Sequence, residues 1–140
     1  MMLENSTRKK TCHLELPSSL DALDQLWEEV YSLVSEEKAE MFMFGLHELA
    51  ANAMEHGNGL NPEKKVFVEL AVTDQFIAAS VEDQGDGFNW QDFVGNPIEF
   101  QLNQERGRGI ALTRLYCDRL YFNEKGNKVV AVKKLHQGSP

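Results

Sequence analysis

Hydrophobic and polar positions change period several times along the chain, and each change predicts an element. Cys12, Leu14 and Leu16 alternate with polar neighbours over Thr11 to Leu16, the period of a strand with one buried face. Pro17-Ser18-Ser19 breaks that pattern and is placed to cap the next element. Leu20, Leu23, Leu26, Trp27, Val30, Tyr31 and Val34 then fall at helical spacing, with Asp21, Asp24, Glu28 and Glu29 outside. Ser35 before Glu36, Glu37 and Lys38 signals a second helix start, its acids suited to the helix dipole. This helix is predicted to run to about Glu55 and to end at His56-Gly57-Asn58-Gly59, where glycine supplies left-handed geometry. One of its stripes, Phe42, Leu46, Leu49 and Ala53, reads as core. The neighbouring stripe, Met41, Gly45, Glu48, Asn52 and Glu55, is polar inside an otherwise apolar helix, which makes it informative.

Asn61-Pro62 turns the chain. Val66, Val68, Leu70 and Val72 alternate, and after Asp74-Gln75 so do Ile77, Ala79, Val81 and Asp83, which predicts a strand hairpin. The second strand runs straight into Gly85-Asp86-Gly87. Residues 88–106 lack clear periodicity, and a loop that long in a compact domain is usually functional or mobile. Gly107-Arg108-Gly109 is predicted to open a third helix carrying Ile110, Ala111, Leu112 and Leu115. Leu120 to Phe122 and Val129 to Leu135 predict a last hairpin around Gly126-Asn127. Hairpins grouped with helices in this order imply an α+β fold, a two-layer α/β sandwich whose mixed, mostly antiparallel sheet carries helices on one face.

Composition narrows the function classes. The 140 residues include 14 Lys and Arg against 22 Asp and Glu, a formal charge of −8. Such a chain is a poor candidate for direct nucleic-acid binding, because the phosphate backbone calls for clustered cations. No apolar run approaches the roughly 20 residues that span a bilayer, and Met1 to Lys10 lacks the apolar core of a secretory signal. Residues 1–10 read as a flexible arm, 11–136 as one domain and 137–140 as a tail. Cys12 and Cys117 read as ordinary thiols in a reducing, cytoplasmic setting. The four histidines, His13, His47, His56 and His136, form no HExxH pattern, so no structural metal is expected.

Three segments carry candidate chemistry: Glu48-Leu-Ala-Ala-Asn52-Ala-Met-Glu-His56-Gly57, then Glu82-Asp83-Gln-Gly85-Asp-Gly87-Phe88, then Arg106-Gly107-Arg108-Gly109-Ile110. In order and spacing they resemble the N, G1 and G2 boxes of the GHKL (Bergerat-fold) ATP-binding superfamily, most nearly its anti-sigma-factor serine/threonine kinase branch. The resemblance covers roughly residues 11–135. It implies ATP and Mg²⁺ as cofactors, Glu48 as catalytic base and Asn52 as metal ligand. It also implies a nucleotide site drawn from Asn52, His56, Asp83, Gly85, Gly87, Arg106, Gly107, Arg108, Gly109 and Ile110.

Elementary chemistry fits these roles. Glu48 and Asn52 are four apart and share a helix face. An Asn carbonyl adds a hard oxygen ligand for Mg²⁺ without another anion beside a triphosphate, and Glu48 is placed to take a proton from an attacking hydroxyl. Asp83 ends an apolar strand face and needs a donor, which the adenine amine supplies in the family. Gly85 and Gly87 let the backbone approach the base. Gly107 and Gly109, placed just before a helix, would offer its free N–H groups to phosphate. Arg106 first, and Arg108 second, are candidates for the γ-phosphate.

Two departures concern phosphate closure: the G2 segment has two glycines rather than a fuller run, and Gly126-Asn127 stands where many relatives have Gly-Thr. Phe88, Trp90, Phe93 and Phe100 read as packing within the 88–106 segment. There is no Gly-x-Gly-x-x-Gly after a first strand, no Walker P-loop and no EF-hand ligand series. The resemblance implies a serine/threonine protein kinase acting by partner switching, with a sigma factor and a STAS-domain anti-anti-sigma factor as partners and the kinase as a homodimer, away from membranes. The alternatives are a non-catalytic ATP-binding regulatory module and a histidine-kinase-type catalytic domain. Against the latter, no phosphoacceptor His on a preceding dimerisation helix is apparent, and His13 lies in a predicted strand. A gyrase- or chaperone-type ATPase would need further domains.

Overall fold

The alternating segments pair into one sheet. The structure, a computed structural model, describes residues 9–33, 37–91 and 105–135, and the side chains of all of these but 37–39, 105–109 and 112. Strands β1 (Lys10–Pro17), β2 (Lys65–Val72), β3 (Phe76–Glu82), β4 (Arg119–Phe122) and β5 (Lys128–Lys134) stand in the order β1-β2-β3-β5-β4. Every pairing among the described residues is antiparallel, so the expected mixed character is replaced by a purely antiparallel sheet. Central β3 aligns Val68 with Val81 on one side and Val81 with Val129 on the other. The β2–β3 turn closes where Thr73 Oγ1 accepts from the N–H groups of Gln75 and Phe76.

Helices α1 (Leu23–Leu33), α2 (Glu37–Asn52) and α3 (Glu105–Tyr116) accompany the sheet. Leu23, Leu26 and Val30 of α1 and Phe42, Leu46 and Leu49 of α2 are buried in one cluster with Val66, Val68, Ile77, Val81 and Val129. Burial of that apolar area is the main stabilising term. Residues of opposite parity, such as His13, Glu69 and Ser80, stay partly or fully exposed on the other face of the sheet. Helices α2 and α3 meet at Gly45, where a Cβ would lie 3.4 Å from the Thr113 Cα, and the Thr113 hydroxyl donates to the Gly45 carbonyl at 3.1 Å. Among the described residues no helix is long and apolar enough to cross a membrane.

Several expectations shift in detail. The stretch predicted as one helix over 20–34 begins with a 3₁₀ turn, Leu20–Ala22, before α1. Leu20 (45% exposed) and Tyr31 (43%) lie outside the core despite their spacing, because the apolar stripe is wider than the surface it packs on. Val34, Ser35 and Glu36 fall outside the described residues. The second helix stops at Asn52 and continues as a wide π turn, Ala53–Gly57, in which the Asn58 N–H reaches the Ala53 carbonyl. Left-handed geometry at its exit belongs to Gly59 and Leu60, not to Gly57.

Candidate functional site

The π turn brings the end of α2 to the end of β3. There Gly57 lies against the Asp83 carboxylate so closely that a Cβ on it would overlap Asp83, and a Cβ on Gly85 would strike the Gly57 carbonyl. Asp83 is 5% exposed, and its Oδ1 accepts from the Gly85 N–H at 2.8 Å. A buried carboxylate needs such donors. Gly87, at φ 85°, likewise closes on the Lys125 carbonyl. Gly85 and Gly87 thus spend their missing side chains on close approach to the chain's own backbone. Neither is among the residues that line the adjacent cleft.

That cleft is walled by Leu49, Asn52, Ala53, Val81, Asp83, Phe88, Ile110, Phe122 and the turn Gly126 to Val129. It is narrow: only about 20 Å³ is wide enough to admit water. Phe88 meets Phe122 edge-on at 5.8 Å, and Trp90 stacks on Phe122 at 5.4 Å, so the aromatic wall must part for a purine. Phe88 and Trp90 therefore pack as expected; Phe93 and Phe100 lie outside the described residues. Asn52, the last residue of α2, has a buried amide nitrogen with no hydrogen-bond partner among the described residues. A buried amide left unmet costs about 1–3 kcal/mol, and turning it about its last torsion presents oxygen instead. Among the described residues there is no cluster of three or more His, Cys, Asp or Glu fit for a metal ion. The Asn52 amide oxygen is a hard donor that would suit Mg²⁺ as one protein ligand, with phosphate and water for the rest.

Three asparagines set the frame, and sequence reading missed two of them. Asn58 is buried; its amide donates to the Ser18 hydroxyl and the Lys65 carbonyl, both at 2.9 Å, and its oxygen accepts from the Gln84 N–H at 2.8 Å. Asn123 Oδ1 accepts from the N–H groups of Gly126, Asn127 and Lys128, which folds the β4–β5 turn. Asn127, expected only as a departure from Gly-Thr, lines the cleft. It donates to the Asp83 carbonyl at 3.0 Å, accepts from the Asn123 amide at 2.7 Å, and its carbonyl accepts from the Asp83 N–H at 2.9 Å. Asparagine beside glycine in a turn is the sequence signal for such anchoring.

The remaining predicted residues divide. Ile110 is buried in the cleft wall. Gly107 and Gly109 lie inside the first turns of α3, which begins at Glu105, rather than before it. The expectation of a glycine lead-in is therefore corrected, because glycine's cost within a helix, about 1 kcal/mol, is outweighed here. The side chains of Arg106 and Arg108 lie outside the described ones. His56 is exposed on the π turn and does not line the cleft. Glu48, half-buried one turn before Asn52, faces a neighbouring groove with Trp27, Phe44, His47 and Tyr116 instead of the cleft.

Both cysteines are free. Burial pushes the Cys117 thiol up to about 11, and burial with the nearby Glu29 carboxylate raises Cys12. Neither thiol has the depressed pKa of a nucleophile.

A comparison with curated proteins returns no match. The sequence does match the family described as "Histidine kinase-like ATPase domain" over residues 15–133, from within β1 to within β5. With that match spanning the antiparallel sheet, its helices and the Asn52–Asp83 cleft, the chain belongs to the family of histidine kinase-like ATPase domains.

Proposed function

We propose that this ATPase domain is a Mg²⁺- and ATP-dependent serine/threonine protein kinase of the anti-sigma type. It would phosphorylate a Ser or Thr on a STAS-domain antagonist and sequester a sigma factor when that antagonist is modified. The observation that carries the reading is the joint placement of Asn52 and Asp83 on one cleft, with Glu48 one helical turn before Asn52.

Asp83 receives the adenine amine, an assignment supported by its burial and by the asparagine contacts that fix its main chain. Asn52 contributes an amide oxygen to Mg²⁺, which when bound neutralises charge on the phosphates. The first turn of α3, up to Gly107, offers backbone N–H groups to phosphate, and Arg106 and then Arg108 add positive charge. Glu48 takes the proton of the acceptor hydroxyl as its oxygen bonds the γ-phosphorus. The bond from that phosphorus to the β–γ bridging oxygen breaks, ADP leaves, and the proton passes from Glu48 to solvent. Partner choice then follows from nucleotide and phosphorylation state. Homodimerisation and a cytoplasmic location belong to the same reading.

The test supplies purified protein with labelled ATP, Mg²⁺ and a candidate antagonist. Phosphate on the antagonist is the expected result; confirmed nucleotide binding without transfer removes the kinase claim. A second reading, an ATP-loaded regulatory module without catalysis, is favoured by one observation: Glu48 lines the neighbouring groove rather than the cleft. Phosphate transfer separates the two, since a pure binding module controls its partner with ATP bound and puts no phosphate on it.

A further inference from the structure

The groove beside Glu48 has a composition of its own. Trp27 of α1, Phe44, His47 and Glu48 of α2, and Tyr116 of α3 line it, and about 320 Å³ is wide enough to admit water. Its walls are aromatic and linked ring to ring. Trp27 meets Tyr31 at 5.7 Å and Phe44 edge-on at 5.6 Å, and Phe44 meets Tyr116 at 6.1 Å. The Trp27 indole N–H donates to His47 Nδ1 at 3.0 Å, which fixes both rings and uses that nitrogen as an acceptor.

Two features mark this groove as a receiving surface. Phe44 is 51% exposed, and Tyr31 and Met41 beside it on the same helical pair are also exposed, an apolar surface that costs solvation while bare. The charges at hand are acidic: Glu48 in the groove, and Glu40 at its margin, where it accepts from the Tyr31 hydroxyl at 3.4 Å. Among the described residues that line it there is no Lys or Arg. Aromatic faces attract a cation through their quadrupole, and a carboxylate in the same recess adds to that attraction. The chain's net charge of −8 acts in the same direction at longer range.

We infer that the groove of Trp27, Phe44, Glu48 and Tyr116 is a docking site for a basic segment of a protein partner, seating a Lys or Arg side chain between the rings and the Glu48 carboxylate. It rests on the kinase reading for one element only, the identification of that segment as the one carrying the acceptor hydroxyl. Glu48 and Asn52 are one turn apart on one face of α2, so the groove and the cleft adjoin along that helix.

The two tryptophans permit a test on the intact chain. Trp27 reports on the groove, and Trp90, stacked on Phe122 of the cleft wall, reports on nucleotide. Indole N–H signals are followed by NMR as two short peptides are added separately. Both contain Ser, one has Arg two positions away, and the other has Glu there. The Arg peptide is expected to move the Trp27 signal saturably, and the Glu peptide to leave it in place. Phe44→Ala, a change at an exposed position, is expected to weaken the Arg peptide roughly five-fold. Glu48→Gln is expected to weaken it as well, and Phe44→Ala should keep the Trp90 response to ATP. Equal response to the two peptides, or no Trp27 movement at millimolar peptide, overturns the docking site. A Trp27 response without phosphate transfer from ATP to the Arg peptide leaves the docking site standing and counts against the kinase reading alone. No Trp90 response to ATP overturns the nucleotide assignment and leaves the groove standing.

Discussion

The two depressions that share α2 as a wall are built by opposite means. The cleft at Asn52 and Asp83 admits water in only about 20 Å³, whereas the groove at Trp27 and Tyr116 admits it in about 320 Å³. In the cleft, directional hydrogen bonds from Asn58, Asn123 and Asn127 hold main chain from separate loops, and glycines close the gaps. In the groove, ring contacts and one indole–imidazole bond hold side chains on three helices. Hydrogen bonds fix position and direction, while ring contacts tolerate sliding. The difference suits a site that must read one ligand in one pose beside a surface that must accept a polypeptide.

The tight packing behind the cleft should respond most strongly to substitution. Gly85→Ala should be more damaging than Gly57→Ala, because its Cβ runs into the Gly57 backbone, which cannot swing aside. A loss of about 3 kcal/mol in denaturant unfolding is expected, at the upper end of overpacking. Gly57→Ala meets a side chain, Asp83, and should cost about 2 kcal/mol together with nucleotide affinity.

Asp83→Asn tests the chemistry with little change of shape. ATP affinity should fall roughly thirty-fold by calorimetry, in the range for a hydrogen bond to a charged group, while ATP over GTP preference disappears. Asn127→Ala removes both side-chain bonds of that residue and should cost about 1–2 kcal/mol of stability. A few-fold loss of ATP affinity should accompany it, because Asp83 loses its brace.

On the groove side the effects should be smaller. Phe44→Ala is expected to change unfolding free energy by no more than about 0.5 kcal/mol, as for other exposed positions; a large loss would show that the rings form core rather than surface. The last effect, a pH dependence absent at neutral pH, concerns Cys117, next to Tyr116. Its folded thiol titrates near 11 against an ordinary 9.0, so above pH 9 the unfolded chain releases that proton first. This contribution to stability is present below pH 9 and is lost as pH rises toward about 11. Cys117→Ala should flatten that part of the stability profile in urea titrations at stepped pH.

Much of the architecture is readable before folding is considered. The alternation of Val66, Val68, Leu70 and Val72 and the stripe of Phe42, Leu46 and Leu49 mark burial correctly, since each pattern is the local period of its own element. The same reasoning overextends at Leu20 and Tyr31, because periodicity says which side a residue takes and not how wide the opposing surface is. Asn52, Asp83 and Ile110 are found on the cleft as their motifs suggest. Gly85 and Gly87 make close contacts that their neighbours in sequence do not reveal.

The sequence alone therefore determined the strands, the helices, the apolar sides and the three segments that mark the family, since all of these are properties of short stretches of chain. Tertiary structure decided what meets what: Asn127 with Asp83 across 44 positions, Asn58 with Gln84 across 26, Gly45 with Thr113 across 68. It also decided that Glu48 faces a bed of aromatic rings, because Trp27, Phe44 and Tyr116 become neighbours only when three helices cross. Such contacts depend on where the chain returns, and no local period encodes that.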